Sequence, residues 1–212
     1  SGGKPVHYLC DEHADWYPSI SDIKAKLNDR TRAIIIINPN NPTGAVYDKQ
    51  ILIELIEVAR ANNLIIFSDE IYGKITFDNT PFIPVAALSE DVFTVSFSGL
   101  SKTYKLAGFR CGWMVMSGPK HLALNYIEGL NILSNMRLCS NVLAQFAVEP
   151  ALRNDSLSQQ LTLPNGRLES QRNITWNALN NIPGISCVKP EGAFYLFPRL
   201  DPKFYNIDND ED

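Results

Sequence analysis

At 212 residues, 45% apolar and 20% charged, the chain can bury a large core without disulfide or metal staples. Its formal charge of −4 is matched by the four acids Asp208, Asp210, Glu211 and Asp212 of a tail that reads as solvated, and the balanced remainder gives no ground for a nucleic-acid or anionic-membrane partner. Cys10, Cys111, Cys139 and Cys187 form no C-x-x-C pair, which argues against a zinc site or disulfide framework and for reduced thiols in a cytoplasmic protein.

In chain order, the sequence starts at Ser1 without methionine and enters an extended stretch at 6–10, as the middle of a longer polypeptide would. The β-branched run 33–37 predicts a strand buried on both faces, followed by the Asn-Pro-rich loop 38–44. Asp48 is placed to cap a helix that gathers Ile51, Leu52, Leu55, Val58 and Ala59 on one side, and Asn62-Asn63 ends it. Further strands are expected at 64–67, 92–97 and 110–116, with Asp69 just past the first and Lys102 shortly after the second. Helices follow at 121–137, 140–152 (with Pro150 to stop or kink it) and 167–179. Two strands at 185–188 and 193–198, joined by a Pro-Glu-Gly turn, would open a second, smaller domain. The apolar runs are too short to span a bilayer. This strand–helix rhythm argues for an α/β sheet with helices on its faces, where ligands bind beyond the carboxyl ends of the strands.

Asn41, Asp69 and Lys102 all fall at such ends. Lys102 stands in Ser98-Gly99-Leu100-Ser101-Lys102-Thr103, where small and hydroxyl residues let backbone approach phosphate oxygens. Its amine can condense with an aldehyde and, once displaced, shuttle a proton. Taken alone it would be one more solvated lysine. Arg110, eight residues on, offers a planar fork suited to a phosphate dianion, or a salt bridge at a strand edge. Asp69 after an apolar strand needs a partner: a protonated pyridine nitrogen, or the start of a helix it caps. Tyr72, three residues on, can hydrogen-bond a ring oxygen or serve as an aromatic anchor. Asn41 can donate to the same oxygen, although Asn-Asn-Pro-Thr-Gly is good turn chemistry anywhere. Amine, forked cation, carboxylate, phenol and carboxamide together are the set that holds and activates pyridoxal 5'-phosphate.

With these spacings, and with the runs IINPNNPTGAVY, IIFSDEIYGKI, GLSKTYKLAGFRCGWMV, YIEGLNILSNMRLCSN and CVKPEGAFYLFPRL, the chain resembles the class I and II aminotransferases of pyridoxal-phosphate fold type I. Within them it is most similar to bacterial alanine (glutamate–pyruvate) aminotransferases. The resemblance runs from Val6 to about Leu200. It implies a mixed, mostly parallel sheet with helices on both faces over 1–162, and an interdomain helix with the start of a smaller α+β domain over 163–212. It implies that Lys102 holds the cofactor, Asp69 pairs with its ring nitrogen, and Tyr72 and Asn41 bond its ring oxygen. It further implies that Asn41 also reaches the substrate carboxylate, that Arg110 grips the phosphate and that Ser101 lies beside it. The expected substrates are small amino acids and 2-oxo acids, the expected couple L-alanine with 2-oxoglutarate, and the expected assembly a homodimer. Gly99 departs from the serine that contacts phosphate in aspartate aminotransferases, leaving Ser98, Ser101 or a backbone N–H for that role. The same residues also suit a C–S β-lyase, or a cofactor-binding module without activity.

Overall fold

A computed structural model describes residues 2–154 and 156–205 of the chain; Ser1 and the acidic tail 206–212 lie outside the described residues. Short strands Cys10–Asp11 (β1) and Tyr17–Pro18 (β2) pair antiparallel. The extended stretch expected at 6–10 contributes only Cys10 to a strand, because Leu9 spends its backbone elsewhere. Its N–H donates to Asp22 Oδ2 at 2.8 Å and its carbonyl accepts from Ser19 N at 2.8 Å. These bonds tie it to the start of helix Ile20–Lys26 (α1), which Ser19 Oγ caps through the N–H of Asp22.

Strands Ala33–Ile37 (β3), Ile65–Asp69 (β4), Thr94–Gly99 (β5) and Gly112–Ser117 (β6) form one sheet in the order β3-β4-β5-β6. The first three run parallel and β6 returns antiparallel, so the sheet is mixed and mostly parallel. Two strands begin two residues later than the sequence suggests. The N–H of Val92 is held by Ser89 Oγ, and Arg110 sits in left-handed backbone at φ 51°, where a strand cannot run. Between β3 and β4 lies helix Lys49–Ala61 (α2), capped by Asp48 Oδ1 on the N–H of Ile51 at 2.9 Å, an interaction worth about 1 kcal/mol. Its Leu52, Leu55, Ile56, Val58 and Ala59 bury against Ile34, Ile36 and Ile66.

β3 is not buried on both faces as expected: Ile34 and Ile36 are covered, but Ile35 is 62% exposed. At the sheet's edge only the side under α1 and α2 is packed. The opposite face, with Phe93, Val95, Phe67 and Phe97, packs on Ala123, Tyr126 and Ile127. These belong to a 3₁₀ turn, Lys120–Ala123, and the helix Leu124–Arg137 (α3) that continues it. Helices therefore cover both faces. Then follow Val142–Arg153 (α4), Ser156–Thr162 (α5) and Arg167–Asn180 (α6). Pro150 lies inside α4, which runs three residues past it to Arg153 and is capped by Asn154.

The hairpin expected at 185–188 and 193–198 takes another form. Ile185–Cys187 (β7) pairs instead with Pro198–Leu200 (β8), before a last helical turn Pro202–Tyr205 (α7). Residues 191–193 give their backbone bonds away: the N–H groups of Glu191 and Gly192 both donate to Gly44 O, and Ala193 N donates to Ile75 O. A run that exchanges its ladder bonds with distant loops cannot pair with β7.

Candidate active site

The sheet topology collects the chemistry at one edge. Asn41 follows β3, Asp69 ends β4, Lys102 lies three residues beyond β5, and Arg110 stands two residues before β6, whose antiparallel course starts at that same edge. Backbone bonds stitch the edge together. Asn38 N donates to Asp69 O at 3.0 Å, Glu70 N to Phe97 O at 2.9 Å, and Leu100 N to Cys111 O at 3.0 Å.

Asp69 is half-buried and does not start a helix. Its Oδ1 accepts from the N–H of Ile71 at 3.1 Å, closing a tight turn, and Tyr72 follows on that turn. The neighbouring Glu70 turns away, with Oε1 accepting from Ser68 Oγ at 2.9 Å and from Val85 N at 3.0 Å. Burial raises the Glu70 carboxyl above its usual range, against the opposing pull of those two bonds.

The Lys102 loop is held against this turn by Thr103, whose Oγ1 donates to Ile71 O at 3.1 Å. Lys102 Nζ consequently stands 5.9 Å from the ring centre of Tyr72 and 5.8 Å from that of Phe194. No hydrogen bond or ion pair engages that amine among the described residues. Lys105 Nζ props the loop from below through Lys102 O at 3.3 Å and Thr103 O at 3.2 Å. Tyr72 is 2% exposed, and its hydroxyl meets that of Tyr195 in a short hydrogen bond. Burial, then Tyr195, then the charge of Asp69 push the Tyr72 phenol well above its ordinary value.

The structure thus brings Lys102, Tyr72 and Asp69 into one neighbourhood. Asn41 and Arg110 share the edge but are exposed, and the Arg110 guanidinium turns back onto Ala107 O at 2.9 Å. Asn40, not Asn41, organises its loop, with Oδ1 accepting from Thr43 Oγ1 at 2.8 Å and Nδ2 donating to Ile37 O and to the Tyr47 hydroxyl. Ser101 is half-buried next to Lys102. Gly99 is explained by space: a Cβ there would lie 2.8 Å from Cys111 O and 3.0 Å from Gly112 Cα, because β5 and β6 meet at a Gly99–Gly112 pair.

Phe194 and Tyr195 were not foreseen from sequence. Their Ala-Phe-Tyr run reads as the start of a strand after a Pro-Glu-Gly turn, and only its two adjacent aromatics hint at a lining. Gly192 seats the run: a Cβ would come within 2.6 Å of Val46 and 2.8 Å of Pro39. Buried Arg172 of α6 was also missed. It grips Asp78 through two bonds of 2.8 and 2.9 Å, donates to Pro190 O at 3.2 Å and lies 4.5 Å from the centre of the Phe77 ring. Among the described residues no three His, Cys, Asp or Glu side chains gather as metal ligands, and no helix is long and apolar enough to cross a membrane.

The model of the family Aminotransferase class I and II matches residues 1–211. Glutamate-pyruvate aminotransferase AlaA of Escherichia coli K12 is 56% identical over the whole chain, which covers 52% of that protein. An alanine aminotransferase of Mycobacterium bovis is 52% identical, with 49% of its length covered. The crystal structure of an aminotransferase from Escherichia coli superposes with a TM-score of 0.95 at 56% identity, over 97% of this chain and 51% of that one. The chain spans about half the length of the relatives it matches. Its mixed α/β sheet, with helices on both faces, is that of the fold type I enzymes. The chain belongs to the class I and II aminotransferases.

Proposed function

We propose that the protein containing this chain is a pyridoxal-phosphate-dependent transaminase. It moves an amino group from L-alanine to 2-oxoglutarate, giving pyruvate and L-glutamate. The couple is carried by the relatives, which bear the names glutamate-pyruvate and alanine aminotransferase. The chemistry is carried by one observation: an amine without hydrogen bond or ion pair among the described residues, a buried phenol and a carboxylate meet at the strand ends of one sheet.

That donor set fits the cofactor. Lys102 would hold its aldehyde carbon, Asp69 its ring nitrogen, Tyr72 and Asn41 its ring oxygen, and Arg110 with Ser101 its phosphate. When bound, the cofactor supplies an electron sink for the charge left at the substrate Cα after deprotonation. Asp69 would keep the ring nitrogen protonated by pairing with it. Tyr72 would donate a hydrogen bond from its hydroxyl to a ring oxygen and so orient the ring. Lys102 Nζ would take the proton from the substrate Cα and return it to the carbon on the far side of the amino nitrogen, the one that was the aldehyde, as base and then acid. Asn41 donates its carboxamide to the substrate carboxylate. The steric bar to a side chain at Gly99 leaves phosphate contact to Ser98, Ser101 or backbone N–H groups.

We also assign residues 1–162 to a cofactor-binding unit and 163–212 to the beginning of a smaller one. A homodimer is supported by the exposed Leu133, Met136, Leu143 and Phe146 of α3 and α4. A reducing cytoplasmic setting is supported by four cysteines that are all free thiols.

The test is transamination by the full-length protein and its Lys102→Ala variant. The wild type should form pyruvate from alanine only when 2-oxoglutarate is present, and the variant should lose at least roughly a thousandfold in turnover, the scale of losing a nucleophile and general base together. Release of ammonia with pyruvate from a cysteine conjugate, without amino transfer, would replace this reading by that of a C–S lyase.

A further inference from the structure

The Tyr72 hydroxyl is assigned above to the cofactor, yet it already has a partner from the far end of the chain. Tyr195 lies 123 residues on, and the two hydroxyls share a short hydrogen bond. The rings meet edge to face at 5.6 Å between centres and 84°. Phe194 packs edge-on against Tyr72 from beside it, at 5.2 Å and 86°.

The position of Tyr195 is imposed by its neighbours. Arg172 holds Pro190 O, Gly44 O holds the N–H groups of Glu191 and Gly192, and Ile75 O holds that of Ala193. Four anchors in four successive residues leave Tyr195 little freedom.

We propose that Tyr195 is a positioning residue that acts through Tyr72, forming a two-tyrosine relay to the cofactor's ring oxygen. The inference rests on the function proposed above. A phenol has one hydrogen to donate and lone pairs to accept with. If Tyr72 gives its hydrogen to the ring oxygen, its oxygen is free to accept one from Tyr195. The bond from Tyr195 polarises the Tyr72 O–H and makes it a stronger donor, since chained hydrogen bonds reinforce one another in a poorly solvated site. A stronger donor stabilises the negative charge on the ring oxygen and lowers the pH at which the bound cofactor loses its proton there. Through Tyr195 and Tyr72 the anchored run 190–195 thereby takes part in setting the protonation state of the bound cofactor.

The experiment is a pH titration of the visible absorption of bound cofactor in the full-length protein, for wild type, Tyr195→Phe, Tyr72→Phe and the double variant. Tyr195→Phe should move the titration midpoint upward by roughly half a pH unit, the scale of one hydrogen bond. The same substitution in the Tyr72→Phe background should move it no further, because the relay has lost its middle member. A midpoint unchanged in Tyr195→Phe while Tyr72→Phe shifts would overturn the relay and leave the function standing. An equal shift from Tyr195→Phe in both backgrounds would overturn it too, by showing action that bypasses Tyr72. Failure of the wild type to give any cofactor absorption dependent on Lys102 would bring down the function itself, and the relay with it.

Discussion

Asp69 and Glu70 are adjacent carboxylates with different surroundings. Asp69 sits half-buried at the strand end and closes a turn, whereas Glu70 turns away to accept from Ser68 Oγ and Val85 N. Burial raises the Glu70 carboxyl, so the folded chain keeps its proton to higher pH than the unfolded chain does. The folded state then binds more protons in the window between the unfolded value, about 4.3, and the raised folded one, and stability falls as pH rises through that window. Glu70→Gln keeps an acceptor for Ser68 and Val85 but removes the charge. Urea melts should find this variant more stable than wild type at neutral pH, with the gap closing below about pH 4, where Glu70 is neutral anyway. A variant weaker than wild type at neutral pH would mean that the Glu70 charge is compensated.

Among the elements, α6 has a role its sequence hides. Its apolar residues do not mark one face; Ile174 is 70% exposed while Arg172 is 4% exposed. The helix is fastened by that arginine to Asp78 and to Pro190 O. Arg172 holds the Asp78 carboxyl below its ordinary value, but Asp78 is half exposed, so the pair falls short of a fully buried one. Arg172→Met should cost about 1–3 kcal/mol in denaturant unfolding. It should also speed hydrogen exchange at the amides of Glu191, Gly192 and Ala193, whose run loses its Pro190 anchor. Unchanged exchange there would show that Gly44 O and Ile75 O suffice to hold the run.

At the scale of the whole molecule, what could be read in the sequence was what is local. β3, the Asp48 cap and the buried stripe of α2 follow from patterns a few residues long. So does the placement of Asn41, Asp69 and Lys102 at strand ends. Strand starts were misjudged where a side chain or a left-handed residue claimed the backbone, as Ser89 does at Val92 and Arg110 does before β6. The hairpin with residues 193–198 was misread because its bonding partners, Gly44 and Ile75, lie more than a hundred residues back. Tyr195 was invisible for the same reason: nothing near it in sequence announces Tyr72. The exposure of Ile35 depends on what covers the sheet, which strand composition does not report.

The proposed chemistry depends on Lys102 being the amine that meets the cofactor aldehyde. The most direct measurement is borohydride reduction of the full-length protein with pyridoxal phosphate, followed by mass spectrometry of its peptides. One stoichiometric adduct is expected, on the peptide carrying Lys102, and it should be lost in Lys102→Ala. An adduct spread over surface lysines, or one persisting unchanged in Lys102→Ala, would contradict it.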